Sequence, residues 1–360
     1  MRSFKLNGIT RLISFVLITV LLIFIVGFAA NGWQSQSDSD NKNNVENQNN
    51  PSEKNETNDT PPLTDNTEPK FISVSTGLEI NEELYNANVY SFVVNSQSPF
   101  YGISNSDLSI EFGMEDGSSR ILNYTNDISN LWKIGSLLPT RKYITEISKL
   151  FGGTIVSYGN ENAEQNNQVN NVIDLSKFQD SFYKENGNLV YTSNNAIYSI
   201  TSQNDAITCL PYMPMPFLFS DEDETIGKLP ATTAIIQFSE DNETELYYSS
   251  ENGTYRYFKC ATKKIDMLSG ADVEYKNIFV LFADSTTYET TTGCETVYDV
   301  YGGGKGYYIS EGLMTEFNWN IDENEKLIFT ALNGKQLIVN RGNSYIAYYK
   351  SSQTQKIKIF

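Results

Sequence analysis

Histidine is absent from this 360-residue chain. Every mechanism that needs an imidazole falls with it: a Ser-His-Asp or Cys-His nucleophile, a histidine proton shuttle at neutral pH, a histidine-rich metal site. Basic residues are also scarce, 26 against 44 acidic ones, for a net charge of −18. A nucleic-acid backbone needs a Lys/Arg surplus to displace its counterions, so the composition argues against DNA or RNA as a partner. Cysteine is limited to Cys209, Cys260 and Cys294. Three scattered thiols without histidine make no metal site, and no cofactor is expected. Cys260 and Cys294 fall in the same half of the chain and either bridge or stay reduced, with Cys209 left over. The acidic run Asp221-Glu222-Asp223-Glu224 lacks the EF-hand spacing and reads as loop charge.

What is present begins with an uncharged run of 19 residues, Leu12 to Ala30. As a helix it covers about 28 Å, close to a bilayer core. Arg2, Lys5 and Arg11 precede it, and the first charges after it are Asp38 and Asp40. The positive flank stays in the cytoplasm, which places the rest of the chain outside a single-pass cell-membrane anchor. A cleaved signal peptide is the alternative, with Gly27-Phe28-Ala29 or Ala30-Asn31-Gly32 as the small-residue site. The length of the run and Trp33 at the interface favour retention. A lipid anchor needs a cysteine just after the run, and the first one is Cys209. Residues 34–70 hold only Val45 and Leu63 as large apolar side chains, too few to offset ordering entropy. They read as a disordered tether whose ends lie roughly 35 Å apart.

The remainder divides at a proline-rich stretch. Before it, Val89–Asn95, Leu108–Gly113 and Thr154–Tyr158 read as strands. Ile144, Ile147, Leu150 and Phe151 recur at helical spacing from an N-cap at Thr140 to Gly152-Gly153. Asp174 or Ser176 caps a further short helix burying Phe178 and Phe182. Pro211, Pro214, Pro216 and Pro230 make 209–230 a linker, and beyond it eight strand-like runs separated by turns such as Asn333-Gly334 predict an antiparallel β domain. The expected organisation is a basic cytoplasmic end (1–11), an anchor (12–30), a tether (31–70), an α/β layer domain (71–208), a linker (209–230) and a β-rich domain (231–360). The fold class is thus α+β.

Tyr301-Gly302-Gly303-Gly304-Lys305-Gly306-Tyr307-Tyr308-Ile309, then Gly312, Trp319, Asn333-Gly334-Lys335 and Asn340-Arg341-Gly342, resemble the C-terminal domain of the YerB-like bacterial lipoproteins. That domain carries G-x-G-K-G-Y-Y-F, a following G and W, then D-G-K and N-P-G. Thr254-Tyr255-Arg256-Tyr257 and Lys276-Asn277-Ile278-Phe279-Val280 are similar to its Y-x-R-Y and K-N-V-I-V segments. In the first half, Gly102-Ile103-Ser104, Asp107 to Glu111 and Arg120 resemble S-G-L-S-x-A-D-I-V-Y-E…T-R; Ile134-Gly135 through Arg141 resembles I-G-P-V-R-S-A-R, and Tyr191-Thr192-Ser193 resembles N-L-Y-T-S. The resemblance implies a two-domain, extracytoplasmic, membrane-attached protein of no established activity. The chain departs from the pattern where Ser157 stands near the family's histidine, Leu138 for an arginine, Phe100 for a glutamine and Leu189 for an asparagine. If those polar groups form a site in the family, this chain has rewritten it.

Asp107 and Glu111 lie four apart, so on a strand they face one side. With Glu115 and Asp116 they offer paired carboxylates for acid/base work, or a solvated strand end. Glu111, flanked by Ile110 and Phe112, is the candidate catalytic acid, with Arg120 and Arg141 as its candidate partners. Arg141 and Lys142 oppose the macrodipole of the expected helix by roughly 0.3–1 kcal/mol each. That placement points to an ion pair with Glu111 or Glu115, or to an anionic ligand held by Arg141 and the free N–H groups of the first turn. The glycines around Lys305 lack phosphate-loop spacing and read as a tight turn with positive φ opening a strand, leaving Lys305 as a surface ligand contact. Tyr298, Tyr301, Tyr307 and Tyr308, with Trp319, form either a stacking platform for cell-wall sugars or ordinary cross-strand packing. The expected ligand-binding set is Asp107, Glu111, Arg120, Arg141, Lys305, Tyr307 and Tyr308. The expected role is non-catalytic binding of a cell-wall glycan or envelope protein. The alternatives are a peptidoglycan hydrolase or transglycosylase using Glu111, and a purely structural role.

Overall fold

The computed structural model describes residues 70–161, 171–223, 226–290 and 293–360. The expected anchor (12–30) and all but the last residue of the expected tether lie outside them. Among the described residues no helix is long and apolar enough to cross a membrane.

The chain is mostly β. Leaving the shortest elements unlabelled, the first half supplies β1 (Tyr90–Asn95), β2 (Leu108–Gly113), β3 (Ser119–Thr125), β4 (Ile134–Leu137), α1 (Lys142–Phe151), β5 (Thr154–Ser157), β6 (Val172–Asp174), β7 (Leu189–Thr192) and α2 (Asn194–Gln203). The second half supplies β8 (Thr233–Ser239), β9 (Asn242–Ser249), β10 (Thr254–Lys259), β11 (Asn277–Ala283), β12 (Gly303–Ser310), β13 (Leu313–Ile321), β14 (Leu327–Ala331), β15 (Ser344–Lys350) and β16 (Ile357–Ile359). One large sheet runs β13, β12, β11, β15, β2, β3, β1, β4, β7, with β14 on β13, β5 beside β1 and β6 beside β5; a second runs β10, β9, β8, β16.

The sequence reading places a linker between two domains at 209–230. The structure instead carries one sheet through both halves, and Thr67–Phe360 form one compact unit. The seam is β15, parallel to β2 on one side (Ser344 opposite Leu108, Tyr348 opposite Phe112) and to β11 on the other. Strands in such a place are covered on both faces, and β2 and β11 are buried at every position.

Side-chain alternation sorts those residues into two cores. Leu108, Ile110 and Phe112 point to the face covered by Tyr143, Ile144, Ile147 and Phe151 of α1, in one cluster with Phe279 and Tyr348. Tyr345, Ile278 and Val280 point to the second sheet, where Ile236, Leu246, Tyr255 and Tyr257 meet them. By the same alternation Ser109 and Glu111 face the second sheet.

Several local expectations hold. The helix begins and ends near the predicted residues, stopped by Gly152 and Gly153 at φ +82° and +81°. Its N-cap is Arg141 rather than Thr140, with no side-chain capping bond. Asp174 does cap, but only a 3₁₀ turn, Leu175–Lys177. α2 was not anticipated; Ser193 caps it, accepting from the Ala196 N–H at 3.3 Å, and Ile197 and Ile200 bury against the first core. All three cysteines are free. Cys260 and Cys294 are exposed on separate elements, the turn after β10 and the hairpin Ser285–Thr290/Gly293–Tyr298, so they do not bridge.

The glycine-rich segment is strand β12 and none of its glycines has positive φ, contrary to the tight turn expected. The glycines are needed for close approach. A Cβ on Gly304 would lie 2.2 Å from the Phe282 carbonyl oxygen and 3.0 Å from Trp319 Nε1; one on Gly306 would lie 2.6 Å from the Phe317 ring. The bare backbone lets the Trp319 indole N–H reach that carbonyl at 3.2 Å. Gly304→Ala is therefore expected to destabilise the protein by roughly 1–3 kcal/mol, measured by urea unfolding.

Candidate functional site

Glu111 sits in the wall between the two sheets and is fully buried. Its partner is neither Arg120 nor Arg141, as the sequence suggested, but Lys259 of β10, whose Nζ donates to Oε1 at 2.6 Å. Ser119 Oγ donates to the same oxygen at 2.5 Å. Oε2 accepts from Tyr345 OH (2.7 Å), Thr244 Oγ1 (2.8 Å) and Tyr257 OH (3.1 Å). Lys259 also donates to Thr244 Oγ1 at 2.9 Å and sits 4.9 Å from the Phe238 ring centre. Burial works to raise the Glu111 carboxyl, but Lys259 and the hydroxyl donors outweigh it and hold it below its usual value. Burial, and next the Glu111 charge, push the Tyr257 and Tyr345 hydroxyls well up, so both remain donors. The carboxylate is saturated and sealed from solvent, which is the geometry of a structural clasp. An acid acting on a polymer needs a free oxygen and an open approach, and Glu111 has neither.

Lys259 was missed by the sequence reading, yet it carried a signal. In β10 the residues alternate inward, Tyr255, Tyr257, Lys259, and a lysine in register with two core tyrosines belongs to the interior.

Arg141 makes the ion pair foreseen with Glu115. Its Nη1 and Nη2 fork onto the two carboxylate oxygens at 2.7 and 2.6 Å, and Thr296 N–H adds a third bond at 3.1 Å. Burial alone would raise the Glu115 carboxyl; the Arg141 hydrogen bonds and the backbone donors hold it down at about 2. Arg141 Nε and Arg120 Nη2 both bond Glu161, the latter at 2.7 Å. Asp107 does not join Glu111. It lies one residue before β2 and accepts from Ser75 Oγ at 2.9 Å and Tyr212 OH at 3.0 Å, and burial raises its carboxyl. The four departures from the family pattern do not form one site: Phe100 belongs to the core between the sheets, whereas Leu138 packs on the α1 side.

The tyrosine platform is divided by strand alternation. Tyr308 is core, its hydroxyl donating to Asn277 Oδ1 at 2.9 Å, and Tyr298 and Trp319 are buried as well, so these three are withdrawn as ligand contacts. Tyr307 faces the other way, half-buried and edge-on to Phe282 at 5.0 Å, beside exposed Lys305. These two line a cleft of about 370 Å³ with Asp284 and Glu316. Asp284 also lines a second cleft, of about 400 Å³, together with Glu146, Asp299, Tyr288 and Tyr301. Tyr288 and Tyr301 are 56% and 47% exposed, so their rings stand open to solvent at the cleft. Asp284 accepts from Ser351 Oγ at 2.5 Å and Asp299 from the Tyr301 N–H at 3.1 Å, which fixes both carboxylates at the rim. Tyr288, Asp284, Asp299 and Glu146 were not singled out from sequence, because the hairpin, the end of β11 and α1 bring them together from distant parts of the chain.

Comparison with known proteins accords with the motifs. Residues 234–346 match the family model described as protein of unknown function (DUF3048), C-terminal domain. No curated protein matches the chain. The crystal structure of the YerB protein from Bacillus subtilis is similar over 81% of this chain and 100% of that one, with a TM-score of 0.70 and 20% identity, a likeness of fold. The YerB-like resemblance read from the glycine-rich strand is thereby borne out.

Two outcomes follow from the buried network and the Arg141 pair. Glu111→Gln leaves the Lys259 ammonium buried without a counter-charge and is expected to cost roughly 3–5 kcal/mol by urea unfolding, part of which Lys259→Met restores. For Glu115, the unfolded carboxyl titrates near 4.5 and the folded one near 2. Its contribution to stability is therefore complete above the higher value and lost as pH falls toward the lower one. The urea midpoint is expected to drop over that window, and less steeply in Glu115→Gln.

Proposed function

Taking the chain as YerB-like, we propose that it is a membrane-anchored envelope protein whose compact unit binds a cell-wall glycan without cleaving it. The observation that carries this reading is the groove of about 400 Å³ in which Tyr288 and Tyr301 stand beside Asp284, Asp299 and Glu146. Tyr307 and Lys305 line a separate cleft that shares only Asp284 with it. A sugar ring presents an apolar face to a tyrosine and hydroxyl donors to a carboxylate, and this groove offers both. The acidic lining, with the charge of −18 on the whole chain, disfavours a polyphosphate. Attachment through 12–30 and a tether over 31–70 places the groove within reach of wall polymer outside the membrane. Glu111 has no part in this function beyond holding the sheets together.

The compact unit, 67–360, is expected to co-sediment with purified peptidoglycan and to release no soluble fragments. Tyr288→Ala/Tyr301→Ala should lower the bound fraction by roughly 3- to 10-fold. A double variant that pellets like the wild type would overturn the groove assignment, and release of fragments would overturn the non-catalytic reading. Protease added to intact cells should degrade the unit; protection would contradict the outside location.

A further inference from the structure

Beside the N-terminus of α1, the guanidinium donors of two arginines are shared between two carboxylates, Glu115 and Glu161. Arg120 and Arg141 are 9% and 8% exposed. Glu115 takes one fork of Arg141 and is itself mostly covered. Across the remaining guanidinium edges lies Glu161, one oxygen on Arg120 Nη2 and the other on Arg141 Nε. Arg120 otherwise donates to the Pro139 carbonyl at 2.6 Å. Beside them the Thr140 hydroxyl is completely buried and has no hydrogen-bond partner, although its backbone holds the same turn, accepting from the Glu161 N–H at 3.0 Å. α1 has no side-chain cap, and the N–H groups of Tyr143 and Ile144 in its first turn have no acceptor within the helix. Two cations, an orphan hydroxyl and a helix N-terminus converge where positive charge is otherwise disfavoured.

We propose that Arg120, Arg141 and the N-terminus of α1 form an oxyanion site whose resting occupant is the Glu161 carboxylate, and that a ligand's carboxylate or phosphate group replaces it. Both groups present paired oxygens to a guanidinium edge. The two glutamates differ in their exposure to solvent. Glu115 is held by a two-pronged fork and a backbone N–H, whereas the Glu161 side chain is 35% exposed. An internal occupant lowers apparent affinity for an outside anion by the fraction of time it stays in place. The site stands apart from the glycan reading, although Lys142, next in sequence, lines the groove.

The test is calorimetric titration of the full chain, in detergent, with inorganic phosphate and separately with acetate, against sodium chloride of matched ionic strength. Glu161→Gln, which cannot neutralise two guanidinium groups, is expected to bind at least one anion saturably, with half-saturation at least about ten-fold below wild type. The phosphate and acetate arms tell which group the site prefers. Adding Arg120→Gln should abolish binding. Glu161→Asp keeps the charge balance with a shorter reach and should fall between wild type and Glu161→Gln, which covers the case in which the neutral variant does not fold. No anion uptake by Glu161→Gln would overturn the proposal. So would equal uptake with and without Arg120, or an Asp variant that binds no better than wild type.

Discussion

The ion pair between Glu111 and Lys259 joins the two sheets at a point where neither partner meets water. Removing two charges from solvent costs several kcal/mol per ion, and such a pair persists only when every remaining lone pair and proton is met. Here five donors converge on one carboxylate, from β3, β9, β10 and β15 as well as from Lys259 itself. The arrangement therefore fixes more than a distance. A slip of one residue in β10 would turn Lys259 outward and leave Glu111, Tyr257 and Tyr345 without their partners, so the network selects a single register between the sheets.

That interior commitment separates structure from chemistry in the rest of the molecule. The groups with the most perturbed surroundings, Glu111 and the tyrosines around it, are those least accessible to a ligand. The accessible polar groups gather at the rim, where strand ends and the hairpin leave carboxylates and ring faces in contact with solvent. Strand β12 shows the division within one element: Tyr308 is fixed in the core by Asn277, while Lys305 and Tyr307 look into a cleft.

Much of this was legible in the sequence, and the limits have physical causes. α1 and its glycine stop could be read because helical spacing and C-terminal glycines are local signals. β11 could be read because it is a nearly continuous apolar run, and β2 because Leu108, Ile110 and Phe112 alternate between turn residues. The joining of the two halves was not legible, because proline at 209–230 reports local chain geometry and says nothing about which strands pair across it. The partner of Glu111 was misassigned for the same reason: arginines close in sequence were weighed above a lysine on another sheet, although the alternation in β10 pointed inward. The tyrosines showed the reverse failure. Composition announced a platform, but the two-residue period of a strand assigns alternate rings to opposite faces, and only the register decides which face is covered.

The position of β15 has a consequence in time as well as in space. Tyr345, which bonds Glu111, is 234 residues away along the chain, and the strand that carries it is an interior member of the large sheet, next to β2. The first half of the protein, once synthesised, presents β2 with an open edge and no closing strand. Closure waits for residues 344–350 to arrive, and long-range parallel pairing of this kind is slow to nucleate. A chain built this way keeps that edge unpaired through most of its own synthesis.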